Sequence, residues 1–455
     1  MAVYSIIKKS ELEGAIRLDA EYYQPEYLLI KNKLKNCPIL KTISKNIICG
    51  PFGSAILNSD YKKEGAPLLR VNNLNNDFIN TENLIFIDNK LGENLKRYKV
   101  YPNDIEVSQR GTIAMFSLVT DDYEQYNISA NLISILNSNK INFLYLISFL
   151  NCKYGNLQLK RKVSGQIQEK ITTDDIKEIF IYTPNKNKQE NIANIVSNSK
   201  KQFDLSKKFY QETEDLLLKE LGLENFEKGA EEQLCNIVKF SDVARLRRMD
   251  AEYFNSDFER IKTKLENQKT EKLGNLMLVL KGFEPGSEAY KEEGKLFIRV
   301  SSLSKEGITD KDQKYLDEKI YEELKNDFQP KVGEILLTKD ATPGIAYVLK
   351  EDMEGIISGG VLRLKVKENI DPEYVAFCIN SIVGKSQAER DAGGSVIAHW
   401  KPEQVKNLII PIFSKEKQEK IADLVKKSHE YRKKAKELLE EAKRKVEDLI
   451  ENNKK

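Results

Sequence analysis

The sequence predicts an α+β chain: two similar mixed α/β domains joined by two long helices that form an antiparallel coiled coil. Three observations carry this. RLDAEYY, starting at Arg17, returns as RMDAEYF, starting at Arg248, 231 residues later. The register then holds. YKKEGAPLLRVNNL from Tyr61 returns as YKEEGKLFIRVSSL from Tyr290, and KQENIANIV from Lys188 returns as KQEKIADLV from Lys417, each 229 residues on. After each copy the sequence turns proline-free and dense in Lys and Glu, with apolar residues at three- and four-residue steps. A period this long marks a duplicated domain, since solenoid units run to about 20–50 residues. The expected boundaries are a first head over 1–185, a first helix and linker over 186–228, a second head over 229–413 and a second helix over 414–455.

Within each head, short apolar runs bounded by Asn, Asp and Gly fit strands of about five residues. In the first copy these are Pro67–Val71, Leu84–Ile87 and Leu132–Leu136; in the second, Leu296–Val300, Glu334–Thr338 and Val361–Val366. A helix follows in each, over Ile141–Asn151 and from Pro372 to Asn380, the second with Asp371 at its N-cap and Pro372 at its first position. Both copies then carry a Gly-Ser turn (Ser164-Gly165; Gly393-Gly394-Ser395) and a last strand ending at Pro184 or Pro411. Ile192, Ile195, Phe203, Phe209 and Leu216 mark the seam of the first long helix. Ile421, Leu424, Tyr431, Ala435, Leu438 and Ala442, with Ser428, mark that of the second. A lone polar helix of this length is marginal in water, so the simplest partner for each is the other.

Composition limits the function. Charged residues make up 31% of 455, yet the net charge is only +3, so any nucleic-acid surface must be a local basic patch. No signal peptide and no run of about 20 apolar residues is expected. The cysteines, Cys37, Cys49, Cys152, Cys235 and Cys378, lack C-x-x-C spacing and read as reduced thiols of a cytoplasmic protein. The two histidines, His399 and His429, have no second ligand or nucleophile beside them in sequence, and His429 reads as a solvated helix residue. There is no phosphate-cradling G-x-x-x-x-G-K-[ST] loop. The Asn/Asp-Pro-Pro-Tyr/Phe segment that an adenine methyltransferase needs is also absent. These absences predict a non-catalytic chain with no cofactor of its own and no metal site.

The candidate DNA-binding residues lie in the heads. GPFGS, with Gly53 and Ser54, and KGFEPGS, with Lys281 and Ser287, are equivalent loops that serve either as connecting turns or as close backbone approaches to phosphate. Arg70 and Arg299 end equivalent strands and precede Asn72 and Ser301; they suit base edges, or structural ion pairs. The blocks Asn103–Gly111 and Val332–Gly344 are equivalent too, and Arg110 in one and Lys339 in the other each offer a cation from a turn. Arg161 and Lys162 form a basic cluster, or a solvated loop; His399 and Trp400 either pack or touch a partner.

Taken twice and in order, these blocks resemble the specificity (S) subunit of type I restriction-modification systems, and the resemblance covers essentially the whole chain. Its carriers are the DAEY-Y/F opening, the Asn103–Gly111 and Gly333–Gly344 blocks, the Gly-Ser turns and the KQExIAx-[IL]-V starts of the helices. The first copy departs in having Asn103-Asp104 where the second has Gly333-Glu334. The resemblance implies two target-recognition domains, each reading half of a bipartite, asymmetric double-stranded DNA target, with the helices as spacer. It implies methyltransferase (M) and restriction/translocase (R) partners that use S-adenosylmethionine, ATP and Mg, with no membrane. A related type IIB-like system, a coiled-coil scaffold for proteins and a stand-alone enzyme are the competing readings.

Overall fold

The computed structural model describes residues 4–12, 17–82, 84–110, 114–163, 170–226, 237–246, 248–250, 253–309, 312–367, 369–392 and 398–452. Both Gly-Ser turns, Gly111 and Cys235 fall outside them. The fold is mixed α/β, with two sheet-containing heads and two long helices, Lys186–Leu221 and Lys415–Glu451. The chain divides into two compact units, Met1–Gln202 with Lys433–Lys455, and Phe203–Arg432.

In the first unit one five-stranded sheet runs Asn46–Cys49, Leu132–Leu136, Ile105–Ser108, Phe116–Leu118, Asp77–Phe78. A second runs Tyr61–Lys62, Ile85–Ile87, Ala66–Leu69, Tyr126–Ile128, Lys99–Val100. The register Asn46↔Leu136 and Leu132↔Ser108 turns Ile47, Ile133, Ile135, Ile105 and Val107 into one core. Helix Phe143–Asn151 covers it, with the Asn142 side chain accepting from the Leu144 N–H at 2.9 Å. Ala442, Val446 and Ile450 of the second long helix complete the same core.

The second unit repeats this plan with a four-stranded sheet (Met277–Lys281, Val361–Val366, Ile335–Thr338, Ala346–Val348) and a three-stranded one (Lys314–Leu316, Lys295–Ile298, Gly355–Ile357). Asp371 caps helix Pro372–Asn380 by accepting from Glu373 N–H at 2.8 Å, as the sequence predicts. Leu217 and Leu221 of the first long helix, with Ile421, Ala422 and Val425 of the second, close this core.

Each head returns to its starting point. In the first, Ile181 N–H donates to the Pro38 carbonyl at 2.9 Å and Leu40 N–H to the Ile179 carbonyl at 2.8 Å. In the second, Thr270–Lys272 pairs with Ile409–Pro411. The strand expected over 179–184 is thus only an isolated bridge, Ile39↔Phe180, while its counterpart is a real strand.

The Asn103/Gly333 departure has a conformational reason. Both residues are in the left-handed region, at φ 72° and 84°, where Gly is unstrained and Asn is tolerated better than most residues. The carboxylate that follows serves the same turn in each: Asp104 accepts from Tyr101 N–H at 2.8 Å, and Glu334 from Lys331 N–H at 2.9 Å.

The long helices pack antiparallel through small residues. In the first unit Ser199 Oγ donates to the Ala435 carbonyl at 2.8 Å; in the second Ser428 Oγ donates to the Ser206 carbonyl at 2.8 Å. Ser199, Ser206 and Thr213 are buried at seven-residue steps, as are Ser428, Ala435 and Ala442. Phe209 stacks on Tyr431, with centroids 5.3 Å apart. Leu424 and Leu438, expected in the seam, are only half-buried, while Val425 and Leu439 are buried, because each helix also faces a head. His429 is likewise largely buried against Tyr347, 6.2 Å between centroids, and is not a solvated helix residue.

Candidate nucleic-acid interface

The first head builds its site where strand Ala66–Leu69 ends. Arg70 N–H donates to the Asn73 side chain at 2.9 Å, and that side chain's Nδ2 donates to the Asn80 carbonyl at 3.0 Å. This fixes a tight turn with Asn72 exposed at its crest. The Arg70 guanidinium lies over the Tyr61 ring, 5.5 Å from its centroid, in range for a cation–π contact. Its Nε is buried with no hydrogen-bond partner. A buried donor left unpaired costs about 1–3 kcal/mol, so it is suited to a partner supplied from outside.

Arg70, Asn72, Tyr61, Phe52, Gly53 and Asn131 line a cavity of about 300 Å³. The loop reaches it because Gly50 presses on the turn just past strand Tyr126–Ile128: a Cβ there would lie 1.9 Å from the Ser129 carbonyl oxygen. Ser54 is exposed beside Gly53. Arg110 borders the cavity, since Gln109 N–H donates to the Asn131 carbonyl at 2.8 Å; Arg110 is exposed and bridges to Lys170.

The second head repeats the frame with different charges. Gly282 presses on the Ser358 carbonyl, where a Cβ would lie 2.0 Å away. Arg299 N–H donates to Ser302 Oγ at 3.0 Å and the guanidinium lies 5.6 Å from the Tyr290 centroid. Here, however, Arg299 is paired with Asp312 at 3.3 Å, and Ser301 Oγ lies 3.1 Å from the same carboxylate. Lys281 and Ser287 are exposed on the approach loop. Lys339 pairs with Asp340, which also takes His399 Nδ1 at 2.8 Å. Gly360 passes close enough that a Cβ would lie 2.8 Å from Val300 and 3.5 Å from Asp340, which joins this trio to the Arg299 turn.

Three expectations are corrected. Lys339 is not the counterpart of Arg110: Lys339 N–H donates to the Gly360 carbonyl as Gln109 N–H does to Asn131, so Arg110 corresponds to Asp340. A one-residue difference between the two copies hides this in the sequence. Trp400 is fully buried and cannot touch a partner. Arg161 is buried too, with Nε donating to the Tyr22 carbonyl at 2.9 Å and the guanidinium 4.1 Å from the Tyr22 centroid. Arg17 lies over the same ring at 4.2 Å and pairs with Asp19 at 2.6 Å. Arg248 and Arg390 repeat that packing on Tyr253, at 4.5 and 5.2 Å. The RxDAEY opening is therefore a structural clasp. Lys162, at its edge, pairs with Glu178 at 2.6 Å.

Sequence reasoning did not single out Tyr61, Phe52, Asn131 or Lys170. Tyr61 was findable, since it opens the longest repeated block. Among the described residues no group of His, Cys, Asp or Glu could hold a metal ion, and no helix is long and apolar enough to cross a membrane.

The family model for the type I restriction modification DNA specificity domain matches residues 52–215 and 265–442. Solved structures similar to this chain include a type I restriction-modification S subunit from M. genitalium, at 15% identity and TM-score 0.39, covering 90% of this chain and 96% of that one. An HsdS subunit from Thermoanaerobacter tengcongensis aligns at 12% identity and TM-score 0.30, covering 91% and 96%. No curated protein matches the chain. The two family matches together span well over half of the sequence, and the chain belongs to the type I restriction-modification specificity family.

Proposed function

We propose that this member of the family is the non-catalytic DNA-reading subunit of a type I restriction-modification complex, each head reading one half of a bipartite, asymmetric target. The observation that carries the reading is the doubled site: Arg70 over Tyr61 and Arg299 over Tyr290, at equivalent strand ends beside equivalent glycine-anchored loops. Lys and Arg at the rim position the backbone, while Arg and Asn within reach of base edges specify sequence. The different charges of the two sites suit two different half-sites. Gly53, Ser54, Arg70, Asn72 and Arg110 are the contacts proposed for the first head. Lys281, Ser287, Arg299, Ser301, Lys339 and His399 are those proposed for the second.

The long helices set the gap between half-sites and dock methyltransferase subunits, with restriction subunits joining in the full complex. The chemistry then belongs to those partners, with their S-adenosylmethionine, ATP and Mg, in the cytoplasm. The test is to co-express the chain with its methyltransferase partner and map methylated adenines genome-wide. A bipartite motif is expected. Exchanging residues 1–185 for those of another family member should alter one half of it alone. Absence of any motif, or of salt-sensitive DNA affinity, would point instead to a protein-binding scaffold.

A further inference from the structure

Phe52 is 90% exposed, more than any other phenylalanine among the described residues. Nothing about its loop is loose. Gly50 N–H donates to the Leu132 carbonyl at 2.9 Å, Pro51 is buried, and Ala55 N–H donates back to the Phe52 carbonyl at 2.8 Å. The phenyl ring is thus held in water by a hydrogen-bonded frame, at the lip of the cavity that contains Arg70 and Asn72.

The second head shows that this placement is a choice. Its anchoring glycine is Gly282, which presses on the Ser358 carbonyl just past strand Gly355–Ile357 as Gly50 presses on that of Ser129 just past Tyr126–Ile128. The phenylalanine there, Phe283, directly follows the glycine and turns inward onto Phe328, with centroids 5.3 Å apart. The residue two beyond the glycine, which is Phe52 in the first head, is the exposed carboxylate Glu284 in the second. Glu284 reaches back over the turn at Gly359, where a Cβ would lie 2.4 Å from its Oε2. Counted from the anchoring glycine, the two approach loops therefore present a phenyl ring and a carboxylate, each in a head with a tyrosine-backed arginine.

We infer that the residue two beyond the anchoring glycine is a base-reading position. Phe52 contacts the apolar surface of a base in the first half-site, and Glu284 accepts a hydrogen bond from a base amino group in the second. The chemistry matches what DNA offers: a thymine methyl or an unstacked base face takes an apolar partner, and the cytosine N4 amine donates to a carboxylate. The inference rests on the DNA-reading function proposed above.

The full chain, co-expressed with its methyltransferase partner, tests it by methylation mapping of Phe52→Glu and Glu284→Phe. Each variant is expected to change one base of one half-site, Phe52→Glu in the first and Glu284→Phe in the second. In direct binding to a duplex carrying the mapped target, Phe52→Ala should weaken affinity about 10-fold, with Phe52→Leu intermediate. Replacing the thymines of the first half-site with deoxyuridine separates the two base surfaces. If a methyl is read, one replacement weakens wild type and leaves Phe52→Ala unaffected. If a base face is read, 2-aminopurine fluorescence should instead rise on binding wild type and not on binding Phe52→Ala. A wild-type motif unchanged in both reading variants, with melting temperatures intact, overturns the inference alone. A wild-type chain that directs no bipartite motif overturns the DNA-reading function and this inference together.

Discussion

Lys443 Nζ lies 3.2 Å from Asp77 Oδ2, an ion pair buried within the first unit. Asn151 Nδ2 also donates to Asp77, at 3.0 Å. Burial pushes the Asp77 carboxyl above the usual range, with Lys443 pulling it back. Lys443 is lowered by burial but held above the ordinary lysine value by Asp77 and Glu440. Glu440 adds to both shifts: it supports the ammonium and, less than burial does, raises the Asp77 carboxyl.

Removing one partner leaves the other charge buried. Lys443→Met should therefore destabilise the first unit by about 3 kcal/mol, and Lys443→Met with Asp77→Asn should recover most of that. Because the Asp77 pKa is raised, its charged form costs stability as pH climbs through the carboxylate range. The Lys443→Met deficit should then be larger at pH 8 than at pH 4.5, where Asp77 takes up a proton. Urea denaturation at the two pH values measures this; a deficit independent of pH would remove Asp77 from the account.

The clasp predicts two variants that hurt folding and spare recognition. Arg161→Ala removes a cation–π contact and the hydrogen bond to the Tyr22 carbonyl, for a loss of about 2 kcal/mol. Arg390→Ala should act likewise on the second head, through Tyr253 and Phe258. Both should lower the melting temperature while the methylation motif stays the same.

Arg70 and Arg299 should differ in strength. Arg70→Ala is expected to weaken DNA binding by about 1–3 kcal/mol and relax one position if it reads a base. If it holds a phosphate it should instead lower the salt slope by about one. Arg299 must first leave Asp312, so Arg299→Ala should cost less, and Asp312→Asn should tighten binding at low salt. Salt titrations of the three variants decide between these outcomes.

His429 supplies a pH test of the second unit. Burial, then the charges of Lys350 and Arg432, push its pKa down to about 4. Glu373, 3.9 Å away, does not offset them. The folded state favours neutral imidazole, so stability is complete above the ordinary value near 6.5 and falls as pH drops toward 4. His429→Gln should remove that fall, worth about 3 kcal/mol between neutral pH and pH 4. Parallel pH–stability curves for wild type and variant would show that the imidazole is not the titrating group.

Duplication made the architecture legible. Repeated blocks fix equivalent strands, caps and helices without any one of them being strongly periodic. Pairing Arg70 with Arg299 was sound for the same reason, since an identical residue in an identical context takes the same turn. What the sequence concealed depends on distance and register. Arg161 reads as a surface cation, and only the fold brings Tyr22 under it. Trp400 looks available beside a glycine turn, and only packing hides it. The matching of Arg110 with Asp340 needed hydrogen bonds, because one additional residue shifts the alignment. Half of the helical seam escaped for a different reason: Ser428, Ala435 and Ala442 of the second helix are legible in the sequence, but the first helix contributes Ser199, Ser206 and Thr213, and a search for apolar residues passes over them.

Each head closes on its own beginning, through the bridge of Pro38–Leu40 with Ile179–Ile181 in the first and the strand pair of Thr270–Lys272 with Ile409–Pro411 in the second. A segment whose two ends are neighbours behaves as a cassette. It can be lifted out and another dropped in without re-routing the chain, since both junctions lie on the same few ångströms of scaffold. Such a layout lets a lineage change what it recognises through one crossover per side, while the helices inherited alongside keep their length. The paired ends of the head are thus what would make its specificity transferable.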